Sequence, residues 1–121
     1  MARFRLSHPA QMDLANIFAA SASHWGADAQ HRYAATLAIA MRQVAADPEG
    51  RMTRGRGELL VGIRSFHLRY ARVDDPQSRV RRPVHILYFR PIAPELIEIV
   101  RVLHERMEPV RQIAEIPDDE E

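Results

Sequence analysis

The sequence predicts an α+β fold: an N-terminal strand, a two-helix antiparallel hairpin, and then a three-strand meander that completes a mainly antiparallel sheet. Three observations predict it. Residues 14–44 carry apolar positions at spacings of three and four, the period of amphipathic helices. Beyond residue 58 the pattern changes to alternation and to short runs rich in β-branched residues, the signature of strands. The last three apolar segments follow one another without a helical stretch between them. Neighbouring strands joined in that way pair antiparallel, and the helical hairpin packs on one face of the sheet.

Taken in order, Phe4-Arg5-Leu6-Ser7 alternates apolar and polar residues, which is enough for a short strand. Ser7 then serves as a helix N-cap, and Pro9 falls in the first turn, where a missing N–H costs little. Leu14, Ile17, Phe18 and Trp25 share a stripe of the first helix, with Ser21 and Ala22 between them, and Gly26 stops it. The second helix opens near Asp28 and runs to Ala46 on a stripe of Tyr33, Leu37, Met41 and Val44; Asp47-Pro48-Glu49-Gly50 turns the chain out of it. So short a link makes the two helices antiparallel. Residues 63–70 alternate, with Arg64, Phe66, Leu68 and Tyr70 on one face and Ile63, Ser65, His67 and Arg69 on the other. Residues 84–90 are apolar throughout Ile86 to Phe89, as in a central strand covered on both faces. Residues 96–103 make the last strand, with Pro91 and Pro94 in the turn before it. Residues 51–58 and 74–83 read as exposed loops. After His104 a short helical turn through Arg106 to Met107 is expected. Residues 1–113 form a single domain, and residues 114–121 an acidic tail without fixed structure of its own.

At 121 residues the chain can bury a core without a metal or disulfide staple. It has no cysteine, which excludes disulfides, thiolate metal sites and cysteine nucleophiles and fits a reducing, cytoplasmic setting. No apolar run reaches the length of a membrane span, so no membrane partner is expected. All 17 basic residues are arginine, so acid–base chemistry built on lysine is excluded. The net charge of +1 conceals an uneven distribution: residues 51–90 hold ten arginines against three acids, and the last seven residues hold five acids. A basic middle suits an acidic or polyanionic partner; it is also what solvated surface looks like in an arginine-rich chain.

None of the six histidines is paired at the spacing of a helical metal site, and neither a metal nor a cofactor is expected. His24 and His31 flank the helix-to-helix connection as surface residues. His67 and His85 lie in strands that could neighbour each other and meet across a ladder. His104 reads two ways. Bracketed by Arg101, Glu105 and Arg106, it could be a general acid or base with arginines holding phosphate; equally, it caps a strand end among ordinary surface charges. No Gly-x-Ser-x-Gly elbow, P-loop or dinucleotide fingerprint is present. The basic loops lack interleaved aromatics, since Phe66, Tyr70, Tyr88 and Phe89 fall in strands, so direct sequence-specific nucleic-acid binding is not expected.

Several segments together resemble the ParE branch of the RelE/ParE toxin superfamily. They are Phe4 to Ala10 leading into Asp13-Leu14-Ala15-Asn16-Ile17, Trp25-Gly26 with Tyr33 beyond, Gly62 to Phe66, Ile86 to Arg90, and Ile97 to Met107. The resemblance implies a toxin of a type II toxin–antitoxin system, neutralised in a hetero-oligomer by a cognate, ParD-like antitoxin. It implies DNA gyrase as target, trapped on cleaved DNA by a binding protein that is not itself an enzyme. It points to Arg64, Arg90, Arg101, His104, Arg106 and Met107 as target-binding residues, supported by the segment to Ile113; alternatively, Arg64 and Arg101 pair structurally with Glu98 or Glu58. It also implies an antitoxin helix in a groove bordered by Phe18, Trp25, Tyr33 and Leu37. RelE-type relatives instead cut messenger RNA on the ribosome, and that alternative would use His104, His67 and Arg101. A third alternative is a non-toxic interaction protein that retains the fold. The arginine-rich stretch 71–83 departs from the compact family pattern.

Overall fold

The computed structural model describes residues 2–114. Its elements are β1 (Arg3–Leu6), α1 (His8–Trp25), α2 (Ala27–Ala46), β2 (Thr53–Gly55), β3 (Arg64–His67), β4 (His85–Ala93), β5 (Leu96–His104) and α3 (Pro109–Ala114). The five strands form one sheet in the order β1-β5-β4-β3-β2. β1 runs parallel to β5, and every other pair is antiparallel. Strand, helical hairpin and antiparallel meander therefore follow the order read from periodicity.

Ser7 caps α1 as expected: its hydroxyl accepts from the Ala10 N–H at 3.0 Å and donates to the Val100 carbonyl at 2.7 Å. One side chain thus closes the helix start and fixes it to β5. Gly26 sits between the helices at φ +91°, ψ 173°, backbone that L-residues rarely adopt. A Cβ there would meet nothing within 4 Å, so the cost of a side chain is backbone strain alone. Gly26→Ala is expected to destabilise by about 1–2 kcal/mol, read as a lower urea midpoint with an unchanged slope.

The core lies on both faces of the sheet. Under the helices, Leu14, Tyr33, Leu37 and Met41 pack against Phe66, Leu87, Phe89 and Ile99. On the other face Ile63, Tyr88, Val100 and Leu103 are covered by Ile113 of α3, Leu59 and Leu60. The continuous apolar run of β4 thus faces two layers, as its composition predicts.

Four local expectations are corrected. Residues 51–58 are not all loop, because Thr53–Gly55 pairs with β3 as the edge strand β2. The strand expected over 63–70 stops at His67, whose Nδ1 accepts from the Arg69 N–H at 3.1 Å and turns the chain into a 3-10 turn over Leu68–Tyr70. Pro91 lies inside β4; β3 pairs only as far as Phe89, so beyond it β4 needs ladder donors on one side only. After His104 the turn closes through the Met107 N–H to the His104 carbonyl at 2.9 Å, and the helix forms later, as α3. The acidic tail lies outside the described residues apart from Ala114, which ends α3. Among the described residues no helix is long and apolar enough to cross a membrane.

Candidate functional site

β4 begins where β5 ends, and this end of the sheet gathers the histidines. His85 lies opposite His104, and His67 lies opposite Ile86. Because successive residues alternate faces, His85 and His104 point to the helix side and His67 to the other, so His67 and His85 do not pair across the ladder. The His85 and His104 rings stack edge to face with centroids 5.5 Å apart.

The hydrogen bonds assign the tautomers. The Tyr33 hydroxyl accepts from the Val84 N–H at 3.1 Å, so its own proton goes to His85 Nδ1 at 2.6 Å. His67 Nδ1 accepts from Arg69 N–H, which leaves its proton on Nε2, donating to Glu105 Oε1 at 2.7 Å. His104 Nδ1 accepts from the Arg106 N–H at 3.1 Å. Every one of these rings uses Nδ1 as an acceptor and carries its proton on Nε2. Burial, and next the neighbouring His104, push the His85 imidazole down to about 4, so it is neutral near pH 7. Burial likewise raises the Tyr33 phenol above its ordinary value. The His67 hydrogen bond holds the Glu105 carboxyl below the usual carboxylate range. Among the described residues no group of histidines and acids could hold a metal ion.

The arginines are tied elsewhere. Arg101 donates twice to Asp13, at 2.8 Å to each carboxylate oxygen, and once to the Gln112 carbonyl at 3.1 Å. Asp13 also accepts from the Val102 N–H at 2.9 Å. That donor is open because β1 pairs β5 only up to Ile99. Arg64 donates to the Pro48 carbonyl at 2.9 Å and to Thr53 Oγ1 at 2.8 Å, fastening the end of α2 to β2. Arg90 and Arg5 flank the buried Glu98 at 3.2 and 3.3 Å. The pairing of Arg64 and Arg101 with Glu98 or Glu58 is therefore corrected: Glu98 serves Arg5 and Arg90, and Glu58 serves Arg56 at 2.7 Å.

Of the six residues named for target binding, His104, Arg106 and Met107 come together at the turn after β5, where Met107 is 48% exposed and Val110 57%. Arg64, Arg90 and Arg101 lie in separate structural ties. The helical-hairpin positions divide as well. Leu37 and Tyr33 face the sheet and are buried, Phe18 is half-buried, and Trp25 projects from the hairpin tip at 77% exposure. Trp25 leaves its expected stripe as the last residue of α1, immediately before Gly26 turns the chain. Sequence reasoning gave Asp13 and the Tyr33 hydroxyl no part here, and it set Glu105 beside His104, whereas Glu105 bonds His67. No local signal marks these pairings, since the partners stand 88, 52 and 38 residues away.

The chain matches the family model described as ParE toxin of type II toxin-antitoxin system, parDE, over residues 4–109. It is 30% identical over 111 residues to Toxin ParE1 of Mycobacterium tuberculosis, in strains CDC 1551 / Oshkosh and ATCC 25618 / H37Rv, a match spanning 92% of this chain and 97% of the relative. In structure it is similar to a chain from the chromosomal ParDE TA system from P. aeruginosa, with a TM-score of 0.61 and 16% identity, covering 86% of this chain and 96% of that one. That similarity concerns the fold. With the strand–hairpin–meander order and an alignment running almost end to end, the chain belongs to the ParE toxin family of type II toxin–antitoxin systems.

Proposed function

We propose that this toxin acts as a binding inhibitor of DNA gyrase, holding the enzyme on cleaved DNA, and that a cognate ParD-like antitoxin neutralises it. The observation that carries the target-binding part is the turn after β5. It exposes Arg106 and Met107, and α3 after it exposes Val110, on a base fixed by Ile113 in the core and by Arg101 on Gln112. A cation next to adaptable apolar surface, held rigidly, is what a protein-binding hot spot needs. Trapping follows if that surface fits the cleaved intermediate better than the resealed one, since only differential affinity shifts an equilibrium. The antitoxin would meet the exposed Trp25 and the half-buried Phe18 at the hairpin, the accessible members of the predicted groove.

Gyrase supercoiling of relaxed plasmid tests this. The purified chain is expected to reduce supercoiling and accumulate linear DNA. Met107→Ala and Arg106→Ala should each raise the half-inhibiting concentration about tenfold, and His67→Ala should change it little. Untouched supercoiling with excess folded protein would defeat the proposal.

The RelE-like alternative rests on one feature: His104 Nε2 has no partner among the described residues, so this imidazole is open to acid–base work. Both nitrogens of His67 are engaged and Arg101 is held by Asp13, which favours binding over catalysis. Ribosome-dependent RNA cleavage that His104→Ala abolishes in a folded protein would establish the alternative. Harmless expression without antitoxin would instead support a non-toxic protein of the same fold.

A further inference from the structure

Between α2 and the long connection from β3 to β4 lies a cleft of about 510 Å³. Arg69, Arg72, Arg79 and Arg81 line it, against one carboxylate, Asp74. Among the described residues none of these four arginines is ion-paired. Two are positioned all the same: Arg79 Nε donates to the Val73 carbonyl at 3.1 Å, and the Arg69 guanidinium lies 5.1 Å over the Tyr70 ring. Leu68, Val73 and Val80 supply an apolar wall. Thr36 of α2 borders the same space; it is 2% exposed, and its hydroxyl has no hydrogen-bond partner among the described residues.

Each feature points to a ligand. Like charges gathered around one cleft repel, and among the described residues Asp74 is the one carboxylate lining it against four guanidinium groups. A buried hydroxyl without a partner is costly, and Thr36, which carries it, is a lining residue of the cleft. Guanidinium forks match phosphate oxygens two at a time. A protein carboxylate brings one negative charge to such a place, whereas a polyphosphate brings several. The volume falls within the range of about 300–1,000 Å³ typical of small-ligand sites, and the apolar wall offers a surface for a sugar and base.

We propose that this cleft binds a nucleoside polyphosphate, with its phosphates between Arg72, Arg79 and Arg81, its nucleoside against Leu68 and Val80, and the Thr36 hydroxyl satisfied on binding. The site is separate from the turn after β5 and does not depend on the identity of the toxin's target.

Calorimetric titration of the full chain with ATP, GTP, tripolyphosphate and adenosine tests the proposal. ATP or GTP is expected to bind one per chain at submillimolar concentration, more tightly than tripolyphosphate or adenosine. The exposed arginines can be changed with little risk to the fold, and Arg72→Gln and Arg81→Gln should each weaken binding about tenfold. Arg3→Gln, on β1 at the far edge of the sheet, should leave binding unchanged. Thr36→Val should weaken binding while leaving the Tm of the unliganded protein the same or higher, because it removes an unpaired buried hydroxyl. Absence of binding at millimolar nucleotide, or binding indifferent to Arg72→Gln and Arg81→Gln, overturns the proposal. So does tripolyphosphate binding as tightly as ATP, which would make this a bare anion site. Displacement of ATP by an equal concentration of polyglutamate peptide overturns it in favour of an acidic protein segment. A lower Tm with unchanged binding in Thr36→Val overturns the placement of the ligand against α2.

Discussion

Replacing Asp13 by alanine is expected to lower the unfolding free energy by about 3–5 kcal/mol, measured by urea denaturation. The carboxylate takes two bonds from Arg101 and one from the Val102 N–H, and the side chains of the pair are only 13% and 16% exposed. Alanine would leave a guanidinium poorly solvated beside α1 and open a backbone donor on the β5 edge that β1 is too short to cover. Through Arg101 the same change loosens the Gln112 carbonyl and so the seat of α3. Asp13→Asn keeps one oxygen for Val102 and should cost less than alanine. A loss below about 1 kcal/mol for alanine would mean the pair is screened like a surface ion pair.

Acidification should destabilise the fold through His85, by about 2–3 kcal/mol between pH 7 and pH 4. The unfolded imidazole titrates near 6.5, and the folded one near 4. Between those values the unfolded chain takes up a proton that the folded chain refuses, so this contribution is complete above pH 6.5 and is lost as pH falls through the window. The full slope is about 1.4 kcal/mol per pH unit, reduced because the ring keeps some contact with solvent. His104 and His67 oppose the protonation of His85, while Asp13 and Glu105 favour it. The Tyr33 proton held on Nδ1 further requires an acceptor there. His85→Asn supplies an acceptor that does not titrate, so its stability should fall less over the same range. Equal pH slopes for the two proteins would show that His85 is not the group responsible.

The histidines show how far chemical reading of a sequence reaches. His104 was open between acid–base catalysis and strand capping, and its Nδ1 does cap the following turn while Nε2 stays open. His67 performs the same capping for the 3-10 turn that shortens β3. A residue's bond to the backbone two positions on is local, yet the choice between strand and turn at 68–70 depends on β4 and Glu105 arriving from later in the chain. The arginines make the complementary point. Arg64, Arg90 and Arg101 all sit in strands and look alike in sequence, but each is claimed by a partner the sequence does not mark.

What the sequence determined by itself is the part that rests on periodicity and punctuation. The α2 stripe, the Ser7 cap, the Gly26 break and the apolar run of β4 each act within a few residues, and those local preferences survive into the fold, while the α1 stripe survives at Leu14, Ile17 and Phe18 and fails at Trp25. Tertiary structure alone decided where polar side chains spend their hydrogen bonds. Asp13 meets Arg101 across 88 residues and Arg5 meets Glu98 across 93, because a short parallel β1 brings the N-terminus against β5. It also sent Trp25 outward while keeping Leu37 inside, since burial depends on where a helix ends relative to the sheet beneath it, and that length is set by packing between elements.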